Sequence, residues 1–195
     1  MEENIKAIEE YAKNNNIPIM EKKGINFLCK FIEKNGIKSI LEIGTAIGYS
    51  SIKMALVSDD ITVTSIEKDE KRYLEAVKNI KKCKLDKRIT LVLADALTAD
   101  INEKYDMLFI DAAKAQYLKF FNKYSKNLNE DGVIVSDNMD FHGFVEKKDR
   151  IESKNLRQLV TKIKRYIDFL ENNEEYDTKF YKIGDGIAIT VKKEE

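Results

Sequence analysis

The chain has 195 residues, of which 43% are hydrophobic and 35% charged, and its 34 basic and 34 acidic side chains leave no net charge. These values exclude an intrinsically disordered chain, and they exclude a strongly basic protein that overall charge would draw to nucleic acid. A chain of this length fits one domain, so we predict a single domain over residues 1–195.

The sequence contains no pattern that directs it to a membrane. No apolar run approaches the roughly 20 residues that a spanning helix needs, and residues 1–4 begin no signal peptide. The two cysteines, Cys29 and Cys83, lack metal-finger spacing and are expected to be free thiols. We therefore expect a cytoplasmic protein with no membrane partner.

The first 35 residues differ in pattern from the rest of the chain. They are predicted to form two helices, interrupted near residues 14–18, where three asparagines and Pro18 break the helical pattern. Residues 36–195 form the predicted core of the domain.

In the core, short apolar runs rich in β-branched residues alternate with longer segments of helical spacing. The predicted strands are 39–43, 61–66, 89–93, 107–110 and 133–135, and the predicted helices between and after them are 50–57, 71–83 and 116–128. Strands that are apolar throughout indicate a sheet covered on both faces, and the alternation indicates parallel strands with right-handed crossovers.

The C-terminal part is predicted to close this sheet. A helix over 153–172 precedes two strands, 178–183 and 186–191, which a glycine-rich turn around Asp185 joins as an antiparallel hairpin. The predicted fold is therefore α/β: a Rossmann-like, doubly wound sheet, mostly parallel with a C-terminal antiparallel hairpin and helices on both faces.

Ligands of such sheets bind beyond the carboxyl ends of the strands. After the first strand, Gly44 and Gly48 permit a tight turn and close approach of a ligand. Glu67 ends the second strand, where it can accept hydrogen bonds from ribose hydroxyls, and Asp95 follows the third. The spacing G-x-G-x-x-G of dinucleotide enzymes is absent, and Glu42 suits a ligand with a cationic amino-acid end. These features favour S-adenosylmethionine over a dinucleotide.

Oxygen ligands follow the next two strands. Asp111 ends the fourth strand, and Asp137 and Asn138 end the fifth, so parallel pairing would bring them to one rim. Singly, each would more often be a cap or turn residue, but together they suit Mg²⁺, Mn²⁺ or Ca²⁺. Lys114 could accept a proton or stabilise an oxyanion there; a solvated lysine is the alternative.

Three segments resemble the metal-dependent O-methyltransferases of the catechol and caffeoyl-CoA type. They are 42–50 (EIGTAIGYS), 110–117 (IDAAKAQY) and 136–138 (SDN). Within that group the chain looks most like the bacterial tRNA 5-hydroxyuridine methyltransferases, because of 17–22 (IPIMEK), 138–143 (NMDFHG) and 184–189 (GDGIAI).

The resemblance implies an S-adenosylmethionine-dependent enzyme with bound Mg²⁺, and it suggests a homodimer. Together with the loop after the first strand, it predicts these contacts to the methyl donor: Met20, Glu42, Gly44, Thr45, Tyr49, Ser50, Glu67, Asp95, Ala96 and Asp111. The implied metal ligands are Asp111, Asp137 and Asn138, and Asp111 and Lys114 are the expected catalytic residues.

The acceptor implied by the closer resemblance is the anticodon region of tRNA, where 5-hydroxyuridine offers two neighbouring oxygens to a metal. Residues 145–165 contain eight basic and three acidic side chains, which would engage phosphates. His142, Lys154 and Arg157 are the candidate substrate contacts. A small phenolic acceptor and a catalytically inactive S-adenosylmethionine-binding module are the alternatives.

Overall fold

The computed structural model describes residues 1–139 and 153–194, which form a seven-stranded sheet with helices on both faces. The strands are β1 (Ser39–Ile43), β2 (Thr62–Glu67), β3 (Ile89–Leu93), β4 (Tyr105–Ile110), β5 (Leu128–Asp137), β6 (Tyr176–Tyr181) and β7 (Ile187–Lys192). The helices are α1 (Glu2–Asn14), α2 (Lys22–Lys34), α3 (Tyr49–Ala55), α4 (Glu70–Lys82), α5 (Tyr117–Tyr124) and α6 (Lys154–Glu171), with 3₁₀ turns at Lys114–Gln116 and Ser125–Asn127. None of these helices is long and apolar enough to cross a bilayer.

The strand order is β3-β2-β1-β4-β5-β7-β6. Strands β1 to β5 are parallel, and β7 is inserted antiparallel between β5 and β6. The order reverses between β1 and β4, which is where a doubly wound sheet forms its ligand crevice. The predicted fold class, including the closing antiparallel hairpin, is confirmed.

The central strands β1 and β4 are mainly apolar because alternate side chains enter two different cores. Ile40 and Met107 belong to the core on one face, with Leu28 of α2 and Ile52 of α3. The next residues along the same strands belong to the other core, where Phe121 of α5 and Tyr166 of α6 also pack. Burial on both faces fixes the register of the central strands, because a shift by one residue would turn the side chains of each core to the opposite face of the sheet.

Two elements differ from the sequence prediction by more than two residues at one end. Strand β5 begins at Leu128 instead of residue 133, because its first part is exposed and polar and gives no apolar signal. The predicted helix 116–128 is shorter in the structure: α5 covers only Tyr117–Tyr124, and a 3₁₀ turn lies on either side of it. At its end the Asn127 side chain donates to the carbonyls of Ile101 and Glu103 at 2.8 and 3.0 Å, which turns the chain toward β5.

Candidate active site

The carboxyl ends of the central strands open onto a cavity of about 310 Å³. It is lined by predicted residues of both the donor and the metal site. These are Met20, Gly44, Thr45, Tyr49, Ser50, Glu67, Asp95, Ala96, Asp111, Lys114, Asp137 and Asn138. The strand order therefore brings the two predicted half-sites to a single cavity.

Gly44 makes the closest contact between these half-sites. Its φ is +103°, and a Cβ built there would lie 2.1 Å from the carbonyl oxygen of Asp111. The Asp111 amide also donates to the Ile43 carbonyl at 3.0 Å. Only glycine can occupy this position, because any side chain would collide with the backbone that carries Asp111.

The Glu67 carboxylate is held in place by three backbone amides. It accepts from Ala46 at 2.8 Å and from Lys68 and Asp69 at 2.9 Å each. Its side chain lines the cavity although the residue is only 8% exposed. A carboxylate retains acceptor capacity beyond these bonds, so Glu67 can bind a vicinal diol such as that of ribose.

Glu42 lies behind the cavity wall and does not line it. It is fully buried, and its carboxylate accepts hydrogen bonds from the hydroxyls of Ser50, Ser51 and Ser65. Burial raises the pKa of Glu42 to about 7, although the three hydroxyls act in the opposite direction. Its carboxylate therefore reaches the cavity only through Ser50, whereas the sequence predicted direct ligand contact. The reason is that interior hydroxyls satisfy this carboxylate.

Tyr49 connects the cavity to the N-terminal helices. Its hydroxyl donates to Glu9 of α1 at 3.0 Å, and Glu9 forms a 2.7 Å ion pair with Lys22 at the start of α2. The segment between these helices contributes Pro18 and Met20 to the cavity lining. The segment between the two N-terminal helices therefore forms part of the cavity wall.

The predicted metal ligands are electrostatically unfavourable without a cation. Burial raises the pKa of Asp111 to about 6, against the influence of Lys114. Burial and repulsion by Asp111 raise the pKa of Asp137 well above its ordinary value. Asn138 adopts a φ of +67°, and its Oδ1 is buried with no hydrogen-bond partner among the described residues. Two mutually repelling carboxylates and an unsatisfied amide oxygen fit a hard divalent cation.

The amide is the third member of the proposed site. Within residues 1–139 and 153–194, no three His, Cys, Asp or Glu side chains are grouped in a way that could hold a metal ion. Among these described residues, the Asn138 oxygen is the third oxygen ligand that could join Asp111 and Asp137.

Sequence reasoning missed several polar residues of the cavity, among them Gln116 and Asp185. Gln116 lines it, and its Oε1 is buried with no partner in the described part of the chain. Asp185 lines it from the turn between β6 and β7, a segment from which only the hairpin was predicted. A prediction that β7 lies next to β5 would have located Asp185. The lengths of the apolar runs do not reveal this strand order.

The candidate substrate contacts lie elsewhere. Lys154 and Arg157 are exposed on the first turns of α6 and do not line the cavity. His142 lies outside the described residues.

Comparison with known proteins agrees with this geometry. The O-methyltransferase family profile matches residues 2–193. The chain is 28% identical to a caffeoyl-CoA O-methyltransferase of Populus kitakamiensis, covering 89% of this chain and 76% of the relative. It is 30% identical to a catechol O-methyltransferase of Niastella koreensis, covering 80% and 74%.

Solved structures give the same result. A candidate caffeoyl-CoA O-methyltransferase from Staphylococcus aureus is 40% identical, with a TM-score of 0.93 over 97% of this chain and 92% of the other. An O-methyltransferase from Bacillus cereus in complex with SAH (S-adenosylhomocysteine) is 25% identical, with a TM-score of 0.83 over 98% and 91%. The chain therefore belongs to the O-methyltransferase family, as an S-adenosylmethionine-dependent enzyme of the caffeoyl-CoA and catechol type.

Proposed function

We propose that the enzyme methylates one of two neighbouring oxygens on an acceptor that is chelated by a divalent cation. The observation that carries this proposal is the set of Asp111, Asp137 and Asn138 at the rim of the donor cavity, with a buried, unsatisfied amide oxygen. Mg²⁺, or Mn²⁺ or Ca²⁺ in its place, would be held by these three residues. When bound, such a cation lowers the pKa of the acceptor hydroxyl.

In this proposal the protein aligns the methyl donor with the acceptor oxygen. Glu67 and Ser50 fix the donor, and the contact of Gly44 with the Asp111 backbone sets the distance between donor and acceptor. Holding both reactants in line converts the reaction to a nearly unimolecular one. The acceptor oxygen forms its bond to the methyl carbon as the bond from that carbon to sulfur breaks.

Lys114 stabilises the acceptor oxyanion in this proposal. Its positive charge acts on both Asp111 and Asp137, lowering their pKa values. A lysine that acts as a cation cannot also take up a proton, so the role of general base is assigned to solvent. An ammonium group directed at developing negative charge is an established means of stabilising such a transition state.

For the acceptor we propose the 5-hydroxyuridine of a tRNA anticodon. Its O5 and O4 are vicinal, as the two oxygens of a catechol are. Helix α6 also supports a phosphate-bearing acceptor. The Tyr166 hydroxyl lies 2.8 Å from Ser136 Oγ at the end of β5, and α6 runs toward the amino ends of the strands from there.

The start of α6 consequently projects past the sheet on the cavity side. Lys154 precedes Tyr166 by twelve residues, which corresponds to roughly 18 Å of helix. Helix α6 also contacts the Lys114–Gln116 turn. In this proposal, exposed Lys154 and Arg157 meet the phosphates of a nucleic acid whose base occupies the cavity.

A small phenolic acceptor is the second candidate. It is favoured by the names of the curated relatives, which include caffeoyl-CoA and catechol O-methyltransferases. Mass spectrometry of tRNA nucleosides from cells lacking the protein separates the two candidates. Loss of 5-methoxyuridine with accumulation of 5-hydroxyuridine supports tRNA, and an unchanged nucleoside profile favours the phenol.

A further inference from the structure

The turn of the β6–β7 hairpin places a third carboxylate beside the predicted metal ligands. Asp185 lies between Gly184 and Gly186, which have φ values of +58° and +86°. It lines the cavity together with Asp111, Asp137 and Asn138. Asp185 also acts electrostatically on both other carboxylates and raises their pKa values. The charge of Asp185 therefore acts on the two carboxylates of the proposed metal site.

The position of Asp185 is fixed from two sides. Asp137 pairs with Ile187 across β5 and β7, and the Met139 amide donates to the Gly186 carbonyl at 2.9 Å. On the other side the turn packs against α2, where a Cβ on Gly184 would lie 3.3 Å from the Gly24 amide nitrogen. Asp185 is consequently held rigidly next to Asn138.

The contact between the two side chains is directional. Asn138 Nδ2 donates to Asp185 Oδ2 at 3.5 Å. An asparagine amide has a donor end and an acceptor end of almost the same shape, whereas a carboxylate can only accept. The amide must therefore present its NH₂ group to Asp185, and its oxygen, buried and unpartnered among the described residues, is left for the cation.

We propose that Asp185 is a positioning residue that orients the Asn138 amide with its oxygen toward the divalent cation. This inference rests on the proposed function, because it requires the cation of that mechanism. Residues that orient metal ligands typically change metal affinity by about 10- to 100-fold when they are replaced. We expect Asp185→Asn to fall in this range, because an amide at position 185 can donate as well as accept and no longer selects one end of Asn138.

The test is Mn²⁺ binding, measured by calorimetry and by the electron paramagnetic resonance signal of free Mn²⁺, with S-adenosylhomocysteine bound. The matched control is Asp177→Asn in the same hairpin, which removes an equal charge at an exposed residue 3.8 Å from Lys193. Asp185→Asn should weaken Mn²⁺ binding about 10- to 100-fold, while Asp177→Asn should not change it. S-adenosylhomocysteine affinity and melting temperature are measured for both variants, so that a loss of Mn²⁺ binding through unfolding is recognised.

A double-mutant cycle separates orientation from charge. Asn138→Asp supplies an oxygen at both ends of the side chain, so orientation no longer matters. In that background Asp185→Asn should weaken Mn²⁺ binding by a smaller factor than in the wild type, because only the attraction of the Asp185 charge for the cation is then lost. An equal loss in both backgrounds, or no loss in either, overturns the inference. A wild-type enzyme that binds S-adenosylhomocysteine but no Mn²⁺ overturns the metal mechanism itself, and the inference with it.

Discussion

Glu67 is organised for its ligand before the ligand arrives. Three backbone amides hold its carboxylate, so little entropy is lost when a diol binds. We predict that Glu67→Ala weakens S-adenosylhomocysteine binding by about 1–3 kcal/mol, because hydrogen bonds to a charged acceptor are lost. Isothermal titration calorimetry measures this change.

The control for this variant is Glu70→Ala, which removes an exposed carboxylate three residues away at the start of α4. It should bind the ligand as the wild type does. If folded Glu67→Ala retained full affinity, the ribose would have to be placed elsewhere in the cavity.

Glu42 makes the stability of the fold depend on pH. Its pKa is raised from 4.5 to about 7 by burial, so the folded state holds a proton that the unfolded chain has already lost between these values. The free energy of unfolding should therefore fall as pH rises from about 4.5 to about 7. We predict that this component, about 1–3 kcal/mol, is missing in Glu42→Gln.

Urea denaturation at a series of pH values tests this prediction through the slope of stability against pH, which does not depend on the absolute stability of the variant. Asp111 and Asp137 are present in both proteins, so the comparison reports the loss of Glu42 together with its repulsion of Asp111. Parallel profiles for the wild type and Glu42→Gln would show that Glu42 is ionised throughout.

At the scale of elements, helix α6 is where the acceptor can be tested. If tRNA is the acceptor, part of its binding energy comes from releasing counterions, and its affinity falls steeply with salt. We predict that the double substitution Lys154→Glu and Arg157→Glu lowers tRNA methylation at least tenfold. Methylation of a small catechol should stay almost unchanged, because such an acceptor needs only the cavity.

The same helix offers a matched control. Lys162 and Arg165 are exposed and have the same spacing, but they lie nearer the level of Tyr166, away from the projecting end. Reversing their charges should affect tRNA methylation much less. Equal effects of the two pairs, or insensitivity to salt, would identify the basic face of α6 as a solvated surface and favour the phenolic acceptor.

Elements with strong apolar signals could be predicted from the sequence, and polar ones could not. The strands β1 and β3 were predicted to the residue, because each is a short and mainly apolar run. The exposed start of β5 carries no such signal. The end of α5 depends on a side-chain bond from Asn127 to residues 24 and 26 positions earlier, which no local pattern reveals.

The site shows the same division. Parallel strands bring their carboxyl ends together by topology, so Gly44, Glu67, Asp111 and Asp137 could be assigned to one rim. Glu42 was misplaced because its three hydroxyl partners come from two separate elements, α3 and β2. Asp185 was missed because it comes close to Asn138 only when β7 enters the sheet between β5 and β6.

At the scale of the whole molecule, the proposed donor and metal sites are adjacent but use different side chains, except at Asp111. We predict that a chelator such as EDTA abolishes methyl transfer and that Mg²⁺ restores it, because the acceptor hydroxyl needs a Lewis acid. Binding of S-adenosylmethionine should persist in the chelator, since Glu67 and the Gly44 loop do not require the cation. Full turnover in EDTA would return Asp137 and Asn138 to purely structural roles.

The insertion of β7 beside β5 also determines when the site is completed during synthesis. Residues 18–114 supply the donor side of the cavity, whereas Asn138 and Met139 meet their partners only after residues 185–187 have been made. Ribosomes add about 5–20 residues per second, so Asp137 waits roughly 2–10 seconds for its pairing with Ile187. The proposed acceptor side is therefore the later of the two to take shape, because it requires the pairing of β7 with β5.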